Sequence, residues 1–375
     1  MLQTKHKAHK FRLYPGPSQQ AKLAEFFGSV RFVYNHYLNV KKQSFEGSGQ
    51  SLSYTACAKD LVSFKKEHSF LRDVDSIALQ QSLRHLDTAF QNFFRNKEFG
   101  YPKYKSRKKH RDSYSTICVN GNIRLEGNSI VLPKIGKVRI RKHRQVPDGY
   151  ILKSVTVSKT QSDKYFASIL FEYETDIQPH EINEVIGLDF SMPKLFVSSE
   201  DEIRVDERFL HYYRKSLDQL ANEQRTLSRR TKGSHRYRKQ RKKIAVLHEK
   251  IANQRKDYLH KLSRQIANAY DLVCVEDLDM KGMSRALHFG KSVSDNSWGM
   301  FSRFLSYKLE DQGKALVKVN KWFPSSKTCH ACGYVLPELS LCTREWECPE
   351  CHVIHHRDKN AAINIKAEGM RIFFG

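Results

Sequence analysis

The sequence predicts a multidomain α+β protein: an antiparallel β-barrel split by an inserted helical domain, followed by a mixed α/β domain that a Cys-rich insert interrupts. Three observations predict it. Between residues 15 and about 100, apolar residues recur at a 3.6-residue period. Short alternating strands fill residues 113–178. Buried-strand runs and helices then alternate, with two Cys-x2-Cys pairs ahead of the last helix.

Lys5 to Leu13 read as the first strand, and Pro15 and Pro17 break the chain after it. Ser18 is the expected N-cap of a first helix. Leu23, Phe26, Phe27, Val30, Val33, Tyr34 and Tyr37 form its apolar face, and Gly47–Ser51 reads as a loop. A second helix is expected near Tyr54–Lys66. A third follows Ser76, with Leu79, Leu83, Leu86, Phe90 and Phe93 on one face as a bundle core. Ile123–Leu125, Ser129–Leu132 and Lys137–Ile140 are short strands with Gly or Asn at the turns. Ile151–Ser158 and Lys164–Glu172 alternate cleanly, so 113–178 reads as a barrel or sandwich that the first strand completes.

After Pro179 comes Val185–Phe190, the apolar run of a buried strand. Leu195–Ser199 and Glu202–Val205 read as two further strands of a meander. A helical stretch runs from about Asp206 to Tyr270, broken near Thr231–Ser234. Leu272–Glu276 is another buried strand, Trp298 to about Lys308 a helix, and Ala315–Trp322 a strand. The last helix begins near Asp358. Three strands, helix, strand, helix, strand, helix is the element order of an RNase H-like domain.

Lys and Arg number 65 against 40 Asp and Glu, a net charge of +25. So large a surplus points to a polyanion, nucleic acid first, although basicity that serves colloidal stability alone is the plainer alternative. Hydrophobic residues make up 39% of the chain, enough for real cores, which excludes wholesale disorder. No apolar run approaches the ~20 residues of a membrane helix. The basic N-terminus has no apolar stretch behind it, so it is not a secretory signal and a cytoplasmic setting is expected.

The charge is uneven: residues 1–180 carry a net +16 and residues 181–375 a net +9. In Pro102–Arg111, six of ten residues are basic: Lys103, Lys105, Arg107, Lys108, Lys109 and Arg111. In Arg229–Lys243, nine of fifteen are, among them Arg229, Arg230, Arg236, Arg238, Lys239 and Arg241. Tyr101 and Tyr104 lie within or beside the first run and Tyr237 in the second. Cations for phosphates and rings for stacking make the composition of a nucleic-acid groove. Either run by itself is equally a solvated charged segment.

Cys329-x2-Cys332 and Cys348-x2-Cys351, fifteen residues apart, have the spacing of a four-thiolate zinc site. Gly333 eases the turn after the first pair. His330, His352, His355 and His356 are superfluous to such a site, and Cys342 reads as a spare residue. Cys57, Cys118 and Cys274 read as small buried hydrophobes. Three acids stand where a metal-dependent nuclease needs them: Asp189 and Glu276 at the ends of buried strands, and Asp358 at the start of the last helix. Carboxylates gathered together favour a hard cation, Mg²⁺, and two such ions would serve phosphodiester hydrolysis. Each acid taken singly reads more readily as structural, and Asp277 or Asp279 could replace Glu276 as a ligand.

These motifs together resemble the TnpB (OrfB) family of insertion-sequence proteins, compact relatives of type V CRISPR effectors. HKFRLYPGPSQQAKLAEFFGSVRFVYNHYL and LDTAFQNFFRNKEFGYPKYKSRK resemble the family's N-terminal signatures. GLDFSMPKLFVSS, VCVEDLDMKGM and HHRDKNAAINI resemble its three RuvC motifs, and KWFPSSKTCHACG with WECPEC its zinc segment. The match covers nearly the whole chain. It implies an RNA-guided DNA endonuclease whose guide RNA derives from the transposon end and whose duplex target lies beside a short adjacent motif. It implies Asp189, Glu276 and Asp358 as the RuvC acids and Cys329, Cys332, Cys348 and Cys351 as the zinc ligands. The expected architecture is a wedge barrel at 1–14 and 113–180 split by a helical recognition domain at 15–112. A RuvC-like domain at 181–322 and 355–375 then carries a zinc ribbon at 323–354. Met280–Asn296, with Gly282 and Gly290, is expected to form a lid over the active site. C-terminal RNA contacts through a longer basic tail, as in some relatives, are not expected, and a single copy on its RNA is expected. A repressor that binds without cutting and a transposase that joins DNA ends are the rival readings.

Overall fold

The computed structural model describes residues 2–107, 112–191, 194–200, 203, 207–279, 297–340 and 342–375. The chain divides into two compact units, Met1–Asp176 and Ile177–Gly375. Among the described residues, no helix is long and apolar enough to cross a membrane.

The first unit opens with β1 (Gln3–Tyr14), then α1 (Pro17–Ser48), α2 (Tyr54–Glu67) and α3 (Ser76–Arg95). Six strands follow: β2 (Asp112–Ile117), β3 (Arg124–Glu126), β4 (Ser129–Leu132), β5 (Gly136–Arg141), β6 (Ile151–Lys159) and β7 (Tyr165–Thr175). They form one antiparallel sheet in the order β2-β6-β7-β1-β5-β4-β3. β1 is central: Gln3–Leu13 pairs with β7, and Arg12–Tyr14 with β5. Among the described residues the ladder does not close as the expected barrel would, because β2 and β3 are its two edges. β3 has three residues, and the apolar faces of the helices pack into the same core as the sheet. Phe26 of α1 lies 5.0 Å from the Tyr114 ring of β2, and helices and sheet share one buried core. Its apolar side chains, such as Phe11, Tyr37, Leu79 and Val155, are each fully buried and contribute about 1.5–3 kcal/mol.

Local chemistry explains the helix ends. Gly16, not Ser18, is the N-cap of α1, and Pro17 occupies the first helical position, where its missing N–H costs nothing. The Gln19 side-chain oxygen accepts from the Gly16 N–H at 3.0 Å. α1 takes the first two residues of the expected loop, to Ser48, and stops at Gly49, whose φ of 69° is left-handed; the rest of that loop is non-helical. Asp75 caps α3 by accepting from the Ile77 N–H, and its other oxygen accepts from Thr116 Oγ1 at 2.5 Å. One carboxylate therefore caps a helix and ties it to β2.

The second unit is built on β8 (Val185–Ser191), β9 (Leu195–Ser198), β10 (Leu272–Glu276) and β11 (Ala315–Val319), in the order β11-β10-β8-β9. β10 runs parallel to both β8 and β11, and β9 is antiparallel to β8. The expected strand Glu202–Val205 lies largely outside the described residues. Helices α4 (Glu207–Ser228) and α5 (His235–Ala269) are followed by α6 (Trp298–Glu310) and α7 (Arg357–Phe374). Ile186, Leu188 and Val273 point to one face, where Leu259, Ile266, Phe301 and Leu305 of α5 and α6 cover them. Val185, Leu272 and Cys274 point to the other, with Ile365 of α7. Side chains of a strand alternate between faces, so both sides of β8 and β10 are buried along Val185–Leu188 and Leu272–Val275, and those stretches are apolar throughout. Cys57 and Cys274 are buried as small hydrophobes, and Cys118 Sγ lies 3.4 Å from the Ile123 carbonyl.

Gly187 sets the distance between β8 and α7. A Cβ there would lie 2.1 Å from the Ala362 carbonyl and 2.7 Å from the Lys366 nitrogen. Both obstacles are backbone, so the helix itself would have to move. Gly187→Ala is expected to destabilise the protein by about 3 kcal/mol, measurable as a lowered denaturation midpoint with circular dichroism.

Candidate active site and metal centre

Parallel pairing puts the C-terminal ends of β8 and β10 side by side, since Val275 is opposite Leu188. The next residues are Glu276 and Asp189. Asp358 enters from the first turn of α7. Asp189 lies within electrostatic reach of the other two acids: burial raises its carboxyl well above the ordinary aspartate range, and the charges of Glu276 and Asp358 raise it further. Arg357 opposes that shift. Burial also raises Glu276, while the hydroxyl of Ser325 lowers it by donating to Oε1 at 2.7 Å. Asp358 has a cation of its own, Arg344 Nη1, 3.3 Å from Oδ2 and 3.4 Å from Oδ1. Asp277 leaves the group: it pairs with Lys318 at 2.7 Å, with both side chains exposed. Asp279 is exposed.

The cysteines form a second centre. The sulfurs of Cys329, Cys332, Cys348 and Cys351 all lie within 4.8 Å of one another. Cys329 Sγ is 3.6 Å from Cys351 Sγ, and Cys332 Sγ is 3.5 Å from Cys348 Sγ. Sulfurs at the corners of a tetrahedron with 2.3 Å Zn–S bonds stand about 3.8 Å apart, so the donor set fits that ion. The two knuckles share one geometry. The Gly333 N–H donates to the Cys329 carbonyl and the His352 N–H to the Cys348 carbonyl, each at 2.9 Å. Gly333 and His352 both have positive φ, 81° and 57°. His352 thus occupies the turn position that glycine fills in the first knuckle. β12 (Glu345–Glu347) and β13 (Ile354–His356) form the hairpin beside the second pair. His355 is buried, and its Nε2 lies 3.0 Å from Cys329 Sγ. Cys342 is exposed and stands apart from the group.

One clamp joins the two centres. Asn360 and Asn364, one turn apart on α7, both donate from Nδ2 to the carbonyls of Ser325 and Thr328. The Asn360 side-chain oxygen also accepts from the His330 backbone N–H at 3.1 Å. The segment that leads into Cys329 is therefore pinned to the helix that carries Asp358, and its Ser325 holds Glu276.

Comparison with known proteins bears on this arrangement. Residues 168–287 match an OrfB IS605 family model described as "Probable transposase". Residues 298–365 match a Cas12f1-like TNB domain, and residues 1–50 a helix-turn-helix domain. A protein of Streptomyces pristinaespiralis is 37% identical over 373 residues, 99% of this chain and 91% of its own length. A protein of Escherichia coli strain K12 is 32% identical over 379 residues, 96% of this chain and 92% of its own length. Both carry the name "Putative RNA-guided DNA endonuclease", the second with the designation InsQ. The chain belongs to the TnpB (OrfB) family. A solved Cas12f1 complex with single guide RNA and target DNA has a TM-score of 0.62 at 12% identity, covering 97% of this chain and 99% of that one. At that identity the likeness is one of fold.

The basic runs of this TnpB-family chain are placed differently from one another. Arg229 and Arg230 lie in the turn after α4; Arg236, Arg238, Lys239 and Arg241 lie on the first turns of α5, and all six are exposed. Lys103 and Arg107 are exposed as well. Lys105 is held within the fold: its ammonium sits 3.7 Å from the Tyr34 ring centroid, and burial lowers its pKa to about 8. Its backbone N–H and carbonyl both pair with Asn35 at 2.8 Å. Tyr104 bonds Asn39, and Tyr101 packs edge-on against Phe90 and Phe93. Lys108, Lys109, Arg111 and the expected lid at Met280–Asn296 lie outside the described residues. Ser325, Arg344, Asn360 and Asn364 were missed from sequence. The i,i+4 spacing of the two asparagines on one helix face was the available signal.

Proposed function

We propose that this chain is an RNA-guided DNA endonuclease, with RuvC-like chemistry in an RNase H-like domain formed by residues 181–322 and 355–375. The observation that carries this reading is the electrostatic coupling of Asp189 to Glu276 and Asp358, at adjoining strand ends and a helix start, in a chain whose near-full-length relatives bear that name. The strand order β11-β10-β8-β9, with helices on both faces, supports it. The three carboxylates would hold Mg²⁺, a hard cation that takes oxygen ligands. When bound, Mg²⁺ supplies Lewis acidity to the attacking water and the leaving oxygen of a phosphodiester. The chain's own part is to position the acids: Ser325 orients Glu276, and the Asn360–Asn364 clamp fixes Ser325. The four thiolates of the ribbon at 323–354 would hold Zn²⁺ in a closed, structural site.

The exposed cations of the two basic runs would grip guide RNA and its heteroduplex with target DNA through phosphates. The half-barrel strands and the helical segment at 15–112 would read the adjacent motif on duplex DNA. The guide RNA would derive from the transposon end. The test is to isolate the protein with its RNA from the host and sequence that RNA. Duplex DNA matched to the guide is then supplied with Mg²⁺. Strand breaks that need both RNA and Mg²⁺ are expected. Occupancy without breaks would mark a repressor, and breaks that survive prior RNase treatment a transposase.

Ser325→Ala should lower the cleavage rate about 10- to 100-fold at limiting Mg²⁺, the value of one hydrogen bond to a charged group. A Mg²⁺ titration of single-turnover cleavage checks this, and Ser325→Thr should retain much of the activity.

A further inference from the structure

Trp322 stands 80% exposed on the turn between β11 and the first knuckle. The other two tryptophans, Trp298 and Trp346, are 3% and 7% exposed. A bare indole of this kind is a poor use of the largest apolar side chain unless something covers it. Its position is fixed from both sides. The Trp322 N–H donates to the Asn320 side-chain oxygen, and the Phe323 N–H to the Asn320 carbonyl, each at 2.9 Å. Phe323 packs into the core beside Val319, so the turn is anchored with the indole outside. Three residues on, Ser325 holds Glu276. Three residues of extended chain span at most about 11 Å, which is about three nucleotides at the 3.4 Å stacked rise. Lys321 places its ammonium 5.0 Å from the indole centroid.

We propose that Trp322 is a stacking platform for an unpaired base of the DNA strand being cut, a few nucleotides from the scissile phosphate. This inference rests on the nuclease reading of the acids. An indole offers a flat face to any base, so it holds a strand without selecting sequence. Within a duplex that face is already occupied by neighbouring base pairs, so the platform favours single-stranded DNA. Lys321, beside the indole, supplies a cation for a flanking phosphate.

The test uses the protein with its RNA bound and Asp189→Asn in place to prevent cutting. Because the other two indoles are buried, iodide quenching reports chiefly on Trp322. An oligo-dT strand should protect Trp322 from iodide. Trp322→Ala should weaken oligo-dT affinity about 5- to 150-fold, with Trp322→Phe between the two. In the cutting-competent protein, Trp322→Ala should raise the DNA concentration for half-maximal cleavage and leave the maximal rate nearly unchanged. Three results would overturn the proposal: iodide access unchanged by DNA, wild-type affinity in Trp322→Ala, or protection that bound RNA already completes. Loss of the nuclease reading would show separately, as absence of strand breaks by the wild-type chain, while the fluorescence still decides the stacking.

Discussion

Asp189→Asn is expected to lower the cleavage rate by about 10⁴-fold while leaving RNA binding unchanged. The amide keeps the shape of the carboxylate and removes its charge, so an oxygen ligand for a hard cation is weakened with the fold intact. The same substitution should raise the melting temperature of metal-free protein. Burial and the charges of Glu276 and Asp358 hold the Asp189 carboxyl well above its unfolded range. A carboxylate raised in the folded state contributes stability only while it is protonated, and that contribution fades as pH rises through the folded value. At neutral pH wild-type Asp189 is therefore a burden that the asparagine lacks, and below about pH 4, where the unfolded carboxyl is protonated too, the advantage should vanish. Scanning calorimetry at the two pH values, beside a single-turnover cleavage assay, checks both halves. An inactive variant with no gain in stability would mean that Asp189 does not feel its neighbours. An active one would remove it from the catalytic group.

Loss of the thiolate centre should have the next largest effect. About one zinc per chain is expected by elemental analysis, falling toward zero in Cys348→Ser, whose parent cysteine is fully buried. A structural Zn²⁺ contributes on the order of 10 kcal/mol to the fold it organises. Cleavage should fall as well, although no cysteine reaches the acids. The route is physical: Cys329 follows Thr328, whose carbonyl Asn360 and Asn364 hold together with that of Ser325, and Ser325 holds Glu276. A zinc-selective chelator with Mg²⁺ in excess separates the two metals. Unfolding of 323–354, read by proteolysis, should accompany the loss of cutting. Chelation that releases zinc and leaves both readouts unchanged would show that the ribbon and the acids are independent.

Most of the elements could be read from sequence because their signals are periodic. The stripes from Leu23 to Tyr37 and from Leu79 to Leu86 specify helices at 3.6 residues per turn. The alternation in Tyr165, Ala167, Ile169 and Phe171 specifies a strand with one face inward. Boundaries set by single residues were harder. Ser18 is as good a cap as Gly16 by type, and Pro17 at the first helical position decides between them. Closure of the sheet was not legible at all, because it depends on whether helices or strands cover the open face of the half-barrel.

The acids and thiolates were legible for a similar reason. Strand ends, a helix start and Cys-x2-Cys spacing are local patterns that carry chemistry in their residue types. What the tertiary structure alone decided is which groups hold them. Ser325, Arg344, Asn360 and Asn364 are ordinary residues in sequence, and their partners lie 49, 14, 30–35 and 36–39 positions away. Lys105 looks from sequence like any other cation of its run, yet its ammonium is folded over Tyr34. Periodicity and spacing record what a residue does with its own neighbours along the chain. Hydrogen bonds between distant side chains form only after the core has brought their elements together, so no local pattern announces them.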